Sequence, residues 1–226
     1  MTRAGCRCIF FYFAILVSLH VCAGSARADD TEQREFSIFV DGKQAGSSRM
    51  TLIQKDDGAT QMSATVDVKF RHLLILEYVL KIETQESWKD GRLIGMKTNS
   101  IENGKKNEIT IAGDEKQLRL RVNGKESVLK SEVWTTSFWK LADARFHNKE
   151  ISIVESDTGK EFNCELKYVG TEKIKVGNQL QACYRFLVTA APGPVDLWFD
   201  RYHRLVRQEF TESGHKTIVQ LVNIRR

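Results

Sequence analysis

The strongest constraint on the fold is a series of turn dipeptides between short runs of alternating apolar and polar residues. Five Asp-Gly or Asn-Gly pairs punctuate the chain at 41–42, 57–58, 90–91, 103–104 and 123–124. Such pairs tolerate the positive φ angles of two-residue turns and are the strongest local signal for β-hairpins. A chain that turns back after each strand builds an antiparallel meander. The sequence therefore predicts an all-β protein.

Strands are expected in the segments rich in Val, Ile, Thr and aromatic residues, which are 36–40, 50–54, 61–70, 78–88, 93–101, 108–112, 117–122, 126–129, 151–155, 162–176, 180–189, 195–200, 205–210 and 217–224. An open meander of this size coils, and one of its faces needs a cover. We expect one large antiparallel sheet curled into a half-barrel or open barrel.

The segment from Ser131 to His147 interrupts this pattern. It contains Trp134, Phe138, Trp139, Leu141, Ala142 and Phe146, with no clean alternation. Thr136 or Ser137 is suited to cap a short helix over 138–145. We expect this helix to cover one face or one end of the sheet. It would also divide the domain if there are two halves, 29–130 and 148–226.

The N-terminus has the order of an export signal. Arg3 and Arg7 precede an apolar run from Cys8 to Val21, and Ala26-Arg27-Ala28 offers a small-x-small cleavage site. The sequence predicts a signal peptide over residues 1–28 and a single exported domain over 29–226, periplasmic or secreted. Loss of the leader's three arginines lowers the formal net charge from +5 to +2. The remaining charges are interspersed, so nucleic acid is not an expected partner.

Other uses of the N-terminus fit less well. A retained anchor needs roughly 20 apolar residues, whereas this run is shorter and contains Ser18 and His20. Lipidation at Cys22 is disfavoured because Val21, rather than a small residue, precedes it. No later stretch is long enough to span a bilayer, so we expect no membrane span after cleavage.

Two cysteines, Cys164 and Cys183, follow the predicted cleavage site. If Gly177-Asn178 is a two-residue turn, Cys183 faces Glu172, eight positions from Cys164. That offset is about 25 Å along the strands, which is beyond disulfide reach. A bend near Gly170 leaves the bridge possible in an oxidising compartment.

No catalytic, metal-binding or cofactor-binding motif occurs in the chain. His72, His147, His203 and His215 have no metal-ligand spacing. Glu86 shares a strand face with Tyr78, Leu80 and Trp88. It is either a functional acid in apolar surroundings or a structural partner of a turn, a lysine or an arginine. We predict no catalytic residues, no metal and no cofactor, and an enzyme is the least favoured class.

The most apolar part of the domain is the stretch from Phe70 to Leu80. An antiparallel strand normally keeps one wet face, so something must cover the second face: the 134–146 segment, a partner or a ligand. A strand buried on both faces is the simple alternative. The candidate surface for an apolar ligand or a docked protein consists of Leu73, Leu74, Ile75, Leu76, Tyr78, Leu80, Trp88 and Trp139.

Four strings carry a family resemblance: FVDGKQAG at 39–46, ESWKDGRL at 86–93, TSFW at 136–139 and DLWFD at 196–200. Together they resemble the secreted bacterial family described as domain of unknown function 6134, from Glu35 to Ile224. A more distant similarity is to other uncharacterised envelope proteins with half-barrel β folds. The resemblance implies a β fold and export, and it brings no catalytic residues. In outline the pattern also looks like periplasmic lipid carriers, an analogy of fold alone.

Three functional classes follow from the sequence. The first is a non-enzymatic binder of an apolar, lipid-like ligand in the cell envelope. The second is a structural or adaptor protein that docks an envelope partner through an apolar patch or a sheet edge. The third is an enzyme of unidentified class. A cavity favours the first class, and a filled core with an exposed apolar patch favours the second.

The leader generates the first testable prediction. N-terminal sequencing of the exported protein is expected to begin at Asp29, because signal peptidase cleaves after a small-x-small site. Replacing Ala28 with a bulky residue such as Phe should slow processing. A mature protein that still carries residues before Ala23 would contradict the prediction.

Overall fold

The computed structural model describes residues 30–72, 76–113, 116–130, 132–189 and 193–226. The predicted leader and its cleavage site lie outside the described residues. Within the described ranges, almost every residue belongs to one antiparallel sheet or to the turns between its strands. No helix in these ranges has the length and apolar character needed to cross a membrane.

The sheet has fifteen strands, which are β1 (Asp30–Val40), β2 (Lys43–Gln54), β3 (Thr60–His72), β4 (Leu76–Lys89), β5 (Arg92–Glu102), β6 (Lys105–Gly113), β7 (Leu118–Val122), β8 (Lys125–Leu129), β9 (Val133–Thr135), β10 (Lys149–Val154), β11 (Glu161–Val176), β12 (Gln179–Thr189), β13 (Val195–Phe199), β14 (Leu205–Glu212) and β15 (His215–Arg225). Each predicted segment corresponds to one of these strands. The short strand β9 was not predicted.

Two meanders join through the first and last strands. The order across the sheet is β8-β7-β6-β5-β4-β3-β2-β1-β15-β14-β13-β12-β11-β10-β9. All neighbours pair antiparallel except β9 and β10, which are parallel. The two edge strands, β8 and β9, are consecutive in sequence, so the sheet curls back on itself into a nearly closed barrel. The predicted all-β meander in an open barrel is confirmed.

Antiparallel pairing sorts the turns onto two ends of the barrel. The upper rim carries the turns at 41–42, 103–104, 123–124, 155–160 and 213–214. The lower rim carries those at 55–59, 90–91, 177–178 and 200–204. Side chains that alternate inward along every strand then share one interior.

The interrupting segment runs inside the barrel without forming the helix expected over 138–145. It contains β9 and one turn of 3-10 helix, Ala144–Phe146, whose first turn is capped by the Asp143 carboxylate. Phe138 has a φ of 45°, outside the helical region, so the chain bends sharply there. Trp134, Phe138, Trp139 and Leu141 are buried in the main core. We call residues 132–147 the crossing segment.

The cysteine hairpin has the predicted register. Glu172 lies opposite Cys183 across the Gly177-Asn178 turn, and Cys164 lies opposite Ile151 on the other neighbouring strand. A bulge before Gly170 shifts the register without bringing the cysteines together. Both are buried free thiols, so no disulfide joins them.

Two glycines allow a test of the assignment of residues 123–124 to a hairpin turn. Gly124 has a φ of +84°, whereas Gly95 lies within β5 with extended backbone and ordinary room for a Cβ. Gly124→Ala should lower the free energy of unfolding by about 1 kcal/mol because it forces positive φ on an L-residue. Gly95→Ala should be neutral or slightly stabilising. Equal effects of the two substitutions in urea unfolding would contradict the turn assignment.

Candidate functional site

The described residues line two cavities in the interior of the barrel, and strand β4 runs past both. Successive inward side chains of β4, from Tyr78 to Thr84, line a cavity towards the upper rim. Trp88, further along the same face, lines a cavity towards the lower rim. Phe138 lines the upper cavity and Trp139 the lower one. The crossing segment therefore divides the interior.

The upper cavity has a volume of about 350 Å³. Strands β1, β2, β3, β4, β14 and β15 and the crossing segment contribute its wall. The large apolar side chains that face it include Phe36, Ile38, Leu80, Ile82, Phe138 and Phe210. Most of the wall is thus hydrocarbon, drawn from both meanders.

The lower cavity, of about 450 Å³, is more polar. Trp88, Trp134 and Trp139 line its inner part. Near the rim, Arg92 and Arg145 form ion pairs with Glu132, at 3.2 and 2.8 Å. Its charged groups therefore largely neutralise one another.

Glu86 fastens the crossing segment to the wall between the cavities. Its side chain is 1% exposed, and its Oε2 accepts hydrogen bonds from Trp88 Nε1 at 2.7 Å and Thr135 Oγ1 at 3.1 Å. Oε1 accepts no hydrogen bond from the residues that the structure describes. Burial raises the pKa of Glu86 to about 7, against the opposing effect of its hydrogen bonds. Of the two sequence interpretations, the geometry fits a structural partner, although none of these described partners is a lysine or an arginine.

A buried arginine makes the second polar contact between the barrel wall and the crossing segment. Arg34, 4% exposed on β1, donates from its guanidinium to the Trp139 carbonyl oxygen. Its Nε also donates to Glu32, 2.7 Å away. Arg204 binds the same Glu32 at 3.1 Å and Asp200 at 2.7 Å, so the guanidinium groups are balanced by carboxylates. Arg34 was not predicted from the sequence, because its inward position follows only from the alternation of buried residues along β1.

Four carboxyl groups surround the upper-rim end of the upper cavity: Glu102, Glu155, Asp157 and Glu212. Tyr78 donates its hydroxyl hydrogen to Glu102 at 3.1 Å. Burial, with added repulsion from the neighbouring carboxylates, raises the pKa of Asp157 to about 6 and also raises that of Glu212. Among the described residues, no three His, Cys, Asp or Glu side chains are placed to hold a metal ion together.

The candidate residues named from the sequence separate into four groups. Leu73, Leu74 and Ile75 lie outside the described residues. Leu76 begins β4, opposite His72. Tyr78 and Leu80 line the upper cavity, whereas Trp88 and Trp139 line the lower one. The ring centroids of Trp88 and Trp139 are 5.9 Å apart, and the planes of the two rings meet at 72°.

The sheet and its divided interior define a beta-barrel-like all-β protein. The chain belongs to the family described as domain of unknown function (DUF6134), which it matches over residues 36–222. The resemblance seen in the four sequence strings is therefore confirmed. No curated protein matches the chain.

Solved structures extend the fold relationship. A beta-barrel-like protein of domain of unknown function DUF1849 from Brucella abortus has a TM-score of 0.59 and 8% identity, over 88% of this chain and 98% of that chain. At this identity the likeness shows the fold alone, and it agrees with the expected distant similarity to uncharacterised barrel proteins. A DUF1329 family protein from Desulfovibrio piger ATCC 29098 covers 89% of this chain and 86% of its own, with 11% identity. Its TM-score is 0.17.

The buried carboxyl predicts a pH effect on stability. The folded pKa of Glu86, about 7, lies above its ordinary value of 4.5. The native state therefore keeps a proton that the unfolded state releases, and this contribution to stability is lost as pH rises from 4.5 to 7. Glu86→Gln removes the titration. Its stability relative to wild type should thus increase by about 2–4 kcal/mol between pH 4.5 and pH 8.

Denaturant unfolding at several pH values measures this difference. Glu83→Gln, on the exposed face of the same strand, is the matched control and should follow the wild-type pH dependence. A Glu86→Gln curve parallel to that of wild type would show that Glu86 does not titrate in this range.

Proposed function

We propose that this protein is exported to the cell envelope and holds an apolar, lipid-like ligand in the upper cavity without acting as an enzyme. The observation that carries the proposal is the hydrocarbon-lined cavity of about 350 Å³. Ligand pockets of proteins typically have volumes of about 300–1,000 Å³ and mainly apolar walls. Export rests on the predicted leader, and the N-terminal sequencing described above tests that part separately.

Ordinary packing does not account for a space of this size. Protein interiors are close-packed, with few voids larger than a water molecule. The large side chains around the upper cavity would gain dispersion and hydrophobic energy from collapsing together. An apolar ligand recovers that energy, at about 0.8 kcal/mol for each buried methylene.

The floor of the cavity is held in place by polar contacts. Glu86 binds Thr135 at 3.1 Å, and Arg34 binds the backbone at Trp139. These bonds fix both sides of Phe138, the residue that separates the upper cavity from the lower one. A floor held in this way keeps the cavity preformed, which reduces the free energy spent on ordering when a ligand binds.

A pair of alanines provides a matched test. Ala64 lines the upper cavity and Ala142 the lower one. Ala64→Leu places three additional carbons in the upper cavity and should weaken binding of the uncharged fluorescent probe N-phenyl-1-naphthylamine at least tenfold. Ala142→Leu should leave this affinity within about twofold of wild type. Fluorescence titration measures both, and thermal melting verifies that each variant is folded.

A second substitution protects the test from a folding defect, because overpacking costs about 1–3 kcal/mol. Val66 is only half-buried in the same wall, so Val66→Phe should fill the cavity at less structural cost. Loss of probe binding in a folded Ala64→Leu or Val66→Phe variant supports the proposal. If wild-type protein takes up no uncharged apolar probe, the carrier function is wrong, and the adaptor alternative becomes the better hypothesis.

A further inference from the structure

The charges at the upper rim indicate which apolar ligands this cavity accepts, an inference that rests on the proposed function. We propose that the upper cavity selects amphiphiles with a cationic head group, such as long-chain amines, over fatty acids. The tail would occupy the hydrocarbon-lined interior. The head would lie at the upper rim among Glu102, Glu155, Asp157 and Glu212.

The charge of the upper cavity wall is of one sign. Its lining contains these four acidic residues and, within the described part of the chain, no Lys, Arg or His. The four side chains come from three separate places: the end of β5, the turn between β10 and β11, and the end of β14. The fold therefore brings them together although they are distant in sequence.

Two half-buried carboxylates elsewhere in the sheet, unlike those of the upper rim, have cationic partners. Glu32 contacts Arg34, Arg204 and Arg226. Glu209 contacts Arg207 and Lys216, and the pKa values of both Glu32 and Glu209 are lowered. For the four carboxylates of the upper rim, no ion pair is found among the described residues.

The clustering of acidic residues at the upper rim changes the pKa values of groups there. Burial raises the pKa of Asp157, and the neighbouring Glu155, Glu212 and Glu102 raise it further. Burial raises the pKa of the Tyr78 hydroxyl as well, with Glu102 and Glu212 contributing. A cleft with low-dielectric walls and charge of one sign focuses the potential within it. An ammonium group entering there relieves this repulsion, whereas a carboxylate adds to it.

The apolar wall and the acidic rim together define the orientation of the ligand. Tyr78 marks the boundary between them: its ring faces the cavity, and its hydroxyl binds Glu102. Below this level the inward residues of β4 are Leu80 and Ile82. A bare metal ion fits less well, because no three of the described carboxylates are placed to share one.

The test compares ligands that differ only in the head group. Dodecylamine, dodecanol and dodecanoate displace N-phenyl-1-naphthylamine from wild-type protein at pH 7.5, below their micelle-forming concentrations. We expect dodecylamine to bind at least tenfold more tightly than dodecanoate, with dodecanol between them. Because the preference is electrostatic, it should decrease when salt is added.

A double substitution locates the preference. In Glu102→Gln/Glu212→Gln, the amine and the carboxylate should bind within about threefold of each other, while dodecanol keeps its wild-type affinity. Glu83→Gln, on the outer face of β4, should retain the full preference. The dodecanol affinity also shows that the variant cavity is intact.

Each result has a distinct meaning. Equal binding of amine and carboxylate by wild-type protein would overturn the head-group proposal while leaving the carrier function standing. A preference for the amine that survives the double substitution would overturn the assignment to the upper rim. Failure of the uncharged probe and of dodecanol to bind at all would instead overturn the proposed function itself.

Discussion

The pairing of β1 with β15 is the interaction on which the rest of the structure depends. It joins a meander of the first eight strands to a meander of the last seven, with Phe36 opposite Leu221 and Ile38 opposite Val219. Without it, each half would expose the backbone groups of a terminal strand and the apolar face of an open sheet. With it, the inward faces of both halves surround one interior, and strands far apart in sequence can line one cavity.

Closure leaves an interior that the strands alone do not fill, and the crossing segment occupies its middle. Trp134 and Phe138 of this segment are buried in the main core, and removal of their apolar surface from water is stabilising. The position of the segment, however, is specified by polar groups, since Glu86 on β4 and Arg34 on β1 bind it at two points of the wall. A buried polar contact is satisfied in only one arrangement. This accounts for two separate cavities, which divide between them the single candidate surface that the sequence suggests.

Local features were predictable from the sequence, and features created by closure were not. The Gly177-Asn178 turn fixes the pairing of Glu172 with Cys183 because register propagates along a hairpin. The period of two places Glu86 on the same face as Tyr78 and Trp88. By contrast, β9 is three residues long and pairs in parallel with a strand beyond the 3-10 turn, so no local pattern marks it. The cluster of acidic residues at the upper rim could not be recognised in the sequence either, because these residues come together only when the barrel closes.

The distribution of charge follows from the same closure. At the lower rim and along the β1–β15 seam, closure brings acidic and basic side chains together, as in the cluster of Glu32 with Arg34 and Arg204. At the upper rim it brings Glu102 and Glu212 together next to a half-buried Asp157. Uncompensated carboxylates destabilise a folded protein. At the end of an apolar cavity, a cationic ligand would supply the charge that compensates these carboxylates. Under the proposed carrier function, the head group, more than the hydrocarbon tail, would then distinguish one ligand from another.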